Sequence, residues 1–390
     1  MPINPTNNLV PTPINKPLGH NTPHTQPKGT ILITGGAGYI GSHCALALLE
    51  AGRNIILFDS LELGHQETID TLTHISKTTK GQLKAFIKGN LLNQQDIEQT
   101  LKENPDITAV IHFAAYSQVA ESVKNPGKYY RNNIVGTLNL LDAMTHHGIC
   151  QIVFSSTAAT YGDPQYSPID EKHPQNPVNP YGMSKLTVEH IMDDYDKAYG
   201  IKSVRLRYFN AAGADTNTRI GEWHQPETHL IPNILKAAVQ QTQATKPTEK
   251  KAFQLYGIDY DTKDGTCIRD YIHVEDLAQA HLKALAYLEQ GQPTTAFNLG
   301  TNHGNTVKEV FAVCEQITQQ TILVQYQARR AGDPAILIAD NRKAKEQLNW
   351  TPEKTLTDAV KSAWEWEKHK FSTEHEEQSI KHEKRSMKNK

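Results

Sequence analysis

Tyr181 and Lys185 stand four positions apart in the stretch "NPYGMSK", and a phenol with an ammonium one helical turn away can act as a base. A free phenol loses its proton only near pH ~10, but a neighbouring cation lowers that by roughly 1–3 units, into a range useful at neutral pH. Spacing alone decides little: with 15 Tyr and 30 Lys in 390 residues, Y-x-x-x-K arises about once by chance, and it occurs once here. Placement carries more. Asn179 can cap a helix, Pro180 suits its first position, and Val188, Ile191, Met192, Tyr195, Ala198 and Tyr199 recur at helical spacing up to Gly200. Tyr181 and Lys185 then share one helix face. Thr157, at the end of a preceding strand, offers a hydroxyl that could relay or share the proton of a substrate alcohol. The ordinary alternative for it is a strand-end hydroxyl bonded to its own backbone.

The elements that would position these groups follow from the hydrophobic pattern. "TILIT", "NIILF", "KAFIK", "TAVIHF", "QIVFSS" and "KSVRLRY" read as strands with helices between them. That alternation predicts an α/β fold built on a Rossmann-type, doubly wound parallel sheet. Directly after the first strand, "GGAGYIG" places Gly35, Gly38 and Gly41 three apart, ahead of a helix that passes Leu46 and Leu49 and stops at Gly52. Glycine suits a tight turn whose backbone approaches a pyrophosphate while the helix's first amides stay free for the anion; a plain Gly-rich turn is the alternative. Asp59 favours the former. It ends the second strand roughly 20 residues on, where a carboxylate accepts from adenosine ribose hydroxyls and repels a 2′-phosphate. Arg53, the only nearby cation, precedes that strand, so the expected cofactor is NAD rather than NADP. Ligands of an open parallel sheet lie past the carboxyl ends of its strands, which would bring Thr157, Tyr181 and Lys185 beside the nicotinamide, a second positive charge favouring phenolate.

The chain is long enough for two domains or one large α/β domain, and 38% hydrophobic with 21% charged residues supports a sizeable core. A net charge of −2 and a pI near 6.8 give no general attraction to nucleic acid or anionic membrane. No apolar run approaches the roughly 20 residues of a membrane span. Any anionic ligand must be held by local groups. Cys44, Cys150, Cys267 and Cys314 lie far apart, without CxxC pairs or metal-ligand spacing. They are expected to be reduced and buried, as in a cytoplasmic protein, and no metal is expected. Residues 1–28, rich in Asn, Pro and Thr, and residues 371–390, a mixture of Glu, His and Lys, read as disordered tails. Between them the expected division is an NAD-binding domain over 29–211 and a smaller C-terminal α/β substrate domain over 212–370, of which 274–299 packs back on the first.

Gly35-x-x-Gly38-x-x-Gly41, Asp59, "FAA", the "NN" ahead of a long helix, the Ser/Thr run after the fifth strand and Tyr181-x-x-x-Lys185 together resemble the extended short-chain dehydrogenase/reductase family. "GGAGYIGSH", "YFNAAGA", "DGTCIRDYIHVEDLA" and "RRAGDP" are similar, within it, to the enzymes that epimerise UDP-hexoses at C4, and the likeness runs over roughly 29–369. The resemblance implies an isomerase of galactose metabolism. Tyr181 would take the proton of the sugar 4-hydroxyl, NAD would accept hydride from C4, and the 4-keto sugar would turn before hydride returns to its other face. Tyr39, Ile40, Asp59, Asn90, Leu91, Phe113, Ala114, Asn132, Ser155, Tyr181, Lys185 and Tyr208 would surround a tightly held NAD. The UDP-sugar would meet Thr157, Asn210, His229 and Leu230, with Tyr256 near the uracil. Arg269 and Arg330 would grip its diphosphate in the bidentate manner of guanidinium, with Asp333 and Leu337 from the same stretch as Arg330. Either arginine taken alone reads as a surface ion pair.

Three positions depart from the family pattern. Asn90 stands where an aspartate is usual near the adenine, and its amide oxygen can still accept that bond. Ser117 stands where some members carry lysine. Leu337 occupies the position that gates bulk at the sugar C2, between the small residues that admit an N-acetyl group and the tyrosine that excludes it. UDP-glucose is the expected substrate, and UDP-N-acetylglucosamine, a UDP-uronate or a UDP-pentose stays open. A 4,6-dehydratase needs an acid just after the catalytic Ser/Thr, whereas Ala158 and Ala159 follow Thr157 here. An NAD-sensing regulator on the same fold would be expected to break Thr157 or the Tyr/Lys pair, and all three are intact. The resemblance also implies a homodimer through helices around 95–101 and 129–147, whose apolar positions fit an internal core equally well.

Overall fold

The computed structural model describes residues 29–243, 252–329 and 333–371, so the expected tails lie outside the described residues, Phe371 excepted. Apolar runs form the strands β1 (Thr30–Thr34), β2 (Ile55–Asp59), β3 (Leu83–Lys88), β4 (Ile107–His112), β5 (Gln151–Thr157) and β6 (Lys202–Tyr208). Shorter strands follow: β7 (Asn210–Ala212), β8 (Phe253–Tyr256), β9 (Ile268–Arg269) and β10 (Tyr271–His273). The last four are β11 (Thr295–Leu299), β12 (Asn305–Thr306), β13 (Val324–Gln327) and β14 (Ile336–Leu337). Seven of these make one sheet in the order β11-β6-β5-β4-β1-β2-β3, with every pairing parallel. β1 and β2 are buried throughout, which is why they read as unbroken apolar runs. The chain's progress across the sheet reverses between β1 and β4, and in such a sheet ligands bind outside the strand ends at that reversal.

Helices cover both faces. α1 (Tyr39–Glu50) and α2 (Gln66–Ile75) pack on one, and α3 (Gln94–Glu103) on the other. After α4 (Val119–Lys124), the run expected as one long helix is instead α5 (Pro126–Tyr129), a π-helical stretch Tyr130–Val135 and α6 (Gly136–His146). The wider turn carries the Asn pair, and Asn133 reaches Ser184 Oγ at 3.0 Å and the backbone of Tyr116 at 2.9 and 3.0 Å. Tyr129, Leu140, Leu141, Ala143 and Met144, and likewise Ile97 and Leu101 on α3, are buried in the protein's own core.

α7 (Pro180–Tyr199) begins and ends as its local sequence dictates: the Asn179 side chain accepts from Gly182 N at 2.9 Å, Pro180 is the first residue, and Gly200 closes it in the left-handed conformation. α8 (Leu230–Gln243), α10 (Val307–Thr318) and a last helix over 356–371 enclose a second, smaller core. α9 (Val274–Glu289) packs against α1, β5 and β6, and α11 (Arg342–Leu348) against β11 and α9. Cys44, Cys267 and Cys314 are buried free thiols, but Cys150 is exposed, because it sits in the turn that leads from α6 to β5. Among the described residues no helix is long and apolar enough to cross a membrane.

One buried ion pair locks α7 to the sheet. Arg207 of β6 donates to Glu189 of α7 from Nε at 3.0 Å and from Nη2 at 2.5 Å, and Ser156 of β5 adds a third bond to Glu189 at 2.5 Å. Arg207 Nη1 also donates to Tyr161 OH, which donates on to Asn298 of β11. Arg207→Leu leaves Glu189 buried without its counter-charge, so unfolding by denaturant should show a loss of about 3–5 kcal/mol. A loss under about 1 kcal/mol would mean that this pair does not hold the helix.

Candidate active site

A cavity of about 610 Å³ opens past the strand ends at the reversal point. Three glycines build its floor, each for its own reason. A Cβ on Gly35, whose φ is +73°, would lie 2.5 Å from Ala114 N, and one on Gly41 would lie 2.2 Å from Gly35 O. Gly38 meets nothing closer than 3.4 Å within the protein, so what its missing side chain leaves open is the cavity. No side chain caps α1 at Gly38, and the first amides of a helix lack partners in their own helix. That uncapped end is an anion site suited to a pyrophosphate. Asp59 closes the far side, accepting from Ala37 N at 3.0 Å and Leu61 N at 2.9 Å, while burial raises its carboxyl above the usual carboxylate range. Each of its oxygens keeps a lone pair for a ribose hydroxyl.

Every residue expected around NAD lines this one cavity: Gly35, Gly38, Tyr39, Ile40, Gly41, Asp59, Asn90, Leu91, Phe113, Ala114, Asn132, Ser155, Tyr181, Lys185 and Tyr208. Asn90 Oδ1 accepts from Leu92 N at 2.9 Å, so its amide oxygen is engaged within its own turn. At the other end, β5 delivers Ser155 and Thr157, and the first turn of α7 delivers Tyr181 and Lys185. Thr157 Oγ accepts from Ala159 N at 3.1 Å, as a strand-end hydroxyl does, and its side chain lines the cavity beside the Tyr181 phenol. Burial pushes that phenol up to about 12, with only Thr157 drawing it back down. Lys185 turns its ammonium to Ser155 O at 2.8 Å, and burial takes it down to about 7 against the opposing charge of Glu189. Ser155 Oγ bonds Tyr208 OH, whose phenol burial also raises. The arrangement can accept a proton from an alcohol held between Thr157 and Tyr181 while its carbon faces the dinucleotide.

The expected sugar-nucleotide residues divide. Thr157, Asn210 and His229 line the cavity, whereas Leu230, Tyr256, Arg269, Asp333 and Leu337 do not, and Arg330 lies outside the described residues. Arg269 donates from Nη1 to Ile268 O at 2.9 Å and Pro334 O at 2.8 Å, with Nη2 3.7 Å from Asp333. Leu337 pairs with Arg269 in the register of β14 and β9 and packs, with Phe209, on the Ala158, Tyr161 and Ile169 cluster behind the Thr157 turn. Several lining residues went unsingled by sequence reasoning. Leu61, Glu62 and His65 follow β2, and Tyr116 follows β4, where the strand-end rule points. Tyr116 OH donates to Glu62 at 2.5 Å across the opening, and His65 Nε2 bonds Trp223 O at 2.7 Å with the rings stacked. Among the described lining residues the only carboxylates are Asp59 and Glu62, both on the β2 side, away from Thr157.

A family model described as GDP-mannose 4,6 dehydratase matches residues 32–363. The chain is 45% identical over 346 residues to a protein named UDP-glucose 4-epimerase from Rhizobium leguminosarum bv. trifolii, covering 89% of this chain and 99% of that one. A solved structure of UDP-glucose 4-epimerase from Brucella ovis in complex with NAD superimposes with a TM-score of 0.78 at 42% identity, over 86% of this chain and 97% of that one. The UDP-Glc/GlcNAc 4-epimerase from Campylobacter jejuni does so with 0.73 at 39%, over 87% and 99%.

Gly38→Ala should fold with stability within about 1 kcal/mol of the parent and yet carry less dinucleotide, whereas Gly41→Ala, whose Cβ meets the turn itself, should lose stability as well. Nucleotide absorbance of the purified variants, read beside their unfolding curves, checks this; equal dinucleotide content in Gly38→Ala and the parent would contradict it.

Proposed function

The chain belongs to the UDP-glucose 4-epimerase family, and from that premise we propose that it is an NAD-dependent isomerase that inverts C4 of UDP-glucose and UDP-galactose. The observation that carries the reading is that Thr157, Tyr181 and Lys185 share a cavity with the Gly35–Gly41 turn and Asp59. The cavity from Gly35 to Asp59 would hold NAD, which would supply the hydride acceptor at C4 and the donor to the sugar's other face. Tyr181 takes the O4 proton as the 4-keto sugar forms and returns it when the alcohol is remade. Burial alone would leave its phenol protonated at neutral pH, so it needs a cation, and Lys185, one turn away with Glu189 supporting its charge, is the chain's own. The Thr157 hydroxyl, which draws the same phenol down, stabilises the phenolate.

The absence of a carboxylate beside Thr157 among the described lining residues supports epimerisation over elimination of water, whatever the name of the family model. Arg269 and Arg330 are assigned to the diphosphate, Tyr256 to the uracil and Asp333 to the sugar nucleotide, on family resemblance. Leu337 is assigned to the wall at the sugar C2, supported by the buried cluster on which it and Phe209, a residue lining the cavity, both pack. A leucine there, smaller than tyrosine, favours UDP-N-acetylglucosamine as a second substrate. The sheet unit then holds NAD and the C-terminal part the UDP-sugar. A homodimer belongs to the same reading, with Leu92, Tyr130 and Val135, at 44%, 37% and 43% exposed, as the apolar positions left on that surface. A cytoplasmic location is supported by four free thiols.

Tyr181→Phe should lower kcat for UDP-galactose conversion by about 10²–10⁴-fold, the usual worth of a positioned base. Since a base works only deprotonated, Lys185→Met, which removes the cation one turn from a phenol that burial already raises, should move the rise of turnover to higher pH than in the parent. An undiminished rate in Tyr181→Phe would overturn the mechanism, and a parent-like pH profile in Lys185→Met would remove Lys185 from its role.

A further inference from the structure

Away from the reacting centre, the loop between β7 and α8 gathers Glu222, His224, Glu227 and His229, whose donor atoms all lie within 4.8 Å of one another. Glu222 Oε1 stands 3.0 Å from His224 Nδ1 and 2.5 Å from His229 Nδ1. Glu227 presents Oε1 at 3.3 Å from His229 Nδ1 and Oε2 at 3.8 Å from His224 Nδ1. A set of ion pairs is the ordinary account of such neighbours. One observation does not fit it: the Glu227 side chain is 4% exposed, and its Oε2 has no hydrogen-bond partner although it points at His224. A buried carboxylate oxygen needs a partner, and here the missing one lies toward the centre of the four groups.

The donor set has its own chemistry. Two imidazole nitrogens and two carboxylates are the ligands that zinc accepts, and four donors about 2.0–2.1 Å from a tetrahedral ion stand roughly 3.3–3.4 Å apart. Glu222 Oε1 at 3.0 and 2.5 Å from the two imidazoles, and Glu227 Oε2 at 3.8 Å from His224, scatter about that value. The loop is also anchored from outside, as metal ligands are: Trp366 Nε1 donates to Glu222 O at 3.0 Å, and a Cβ on Gly221 would meet the Trp366 ring at 2.3 Å. Cysteine spacing, which points to no metal, says nothing about this Glu-x-His-x-x-Glu-x-His set. We propose that Glu222, His224, Glu227 and His229 form a binding site for a divalent transition metal, zinc by its donor set. With all four positions supplied by the protein, the site is structural and pins the loop whose His224 and His229 wall the cofactor cavity, with Tyr39 edge-on to His224 at 6.1 Å.

The test uses the full-length protein, stripped of metal with a chelator, freed of the chelator and titrated with Zn²⁺ alone. One zinc per chain is expected by elemental analysis, and Co²⁺ in its place should give the visible bands of a four-coordinate site without a thiolate charge-transfer band. Glu227→Gln and His229→Gln should each weaken zinc binding by more than the roughly 100-fold that loss of an outer-shell partner can cost, with circular dichroism unchanged. Less than stoichiometric zinc in the parent protein, a thiolate band, or undiminished binding in both variants would leave the four residues as ion pairs and end the proposal.

Discussion

The buried pair of Glu189 and Arg207 is the interaction on which the site's geometry depends. Each residue advance along a helix turns the side chain by about 100° and shifts it ~1.5 Å, so Tyr181 and Lys185 face the cavity only in one register of α7. Glu189 sets that register. It lies one turn beyond Lys185 and is bonded at once to β6 through Arg207 and to β5 through Ser156, whose neighbours Ser155 and Thr157 complete the reacting groups. The same carboxylate is also the one anion that supports a charge on Lys185, so position and electrostatics have a common source.

Burial works against both members of the pair that does the chemistry. It pushes Tyr181 up to about 12 and takes Lys185 down to about 7, so burial favours the neutral form of each. Proton transfer therefore depends on charges brought in by ligands and on the Thr157 hydroxyl, and a site of this kind is nearly inert until it is filled. Firm binding of the nucleotide at the α1 end and sparse contact with the sugar would be the matching design, since a 4-keto sugar must turn while its diphosphate stays put.

What was legible in the sequence is what local chemistry determines. Asn179, Pro180 and Gly200 mark α7 because capping and left-handed closure need only neighbours, and Gly35, Gly41 and Asp59 announce a turn and a strand end with tight steric demands. The unbroken apolar strands betray a sheet buried on both faces. Glu189 and Arg207 stayed hidden because charged residues at those positions look solvated until a partner from another element meets them. Cys150 was misjudged for the converse reason: a residue type that is usually buried sits in a connecting turn. Arg269 and Leu337 are brought side by side only through the pairing of β9 with β14, across a separation that periodicity does not encode. The cluster on the β7–α8 loop is different again, since its His and Glu spacing was visible but belongs to no helical or strand period.

In the proposed reaction, hydride leaves and returns to one carbon of one bound sugar. UDP-galactose labelled with deuterium at C4, converted in ordinary water, tests that most directly. The product should be UDP-glucose with the deuterium still at C4, because the hydride is held in the cavity between the two transfers. Loss of the label to solvent would contradict it.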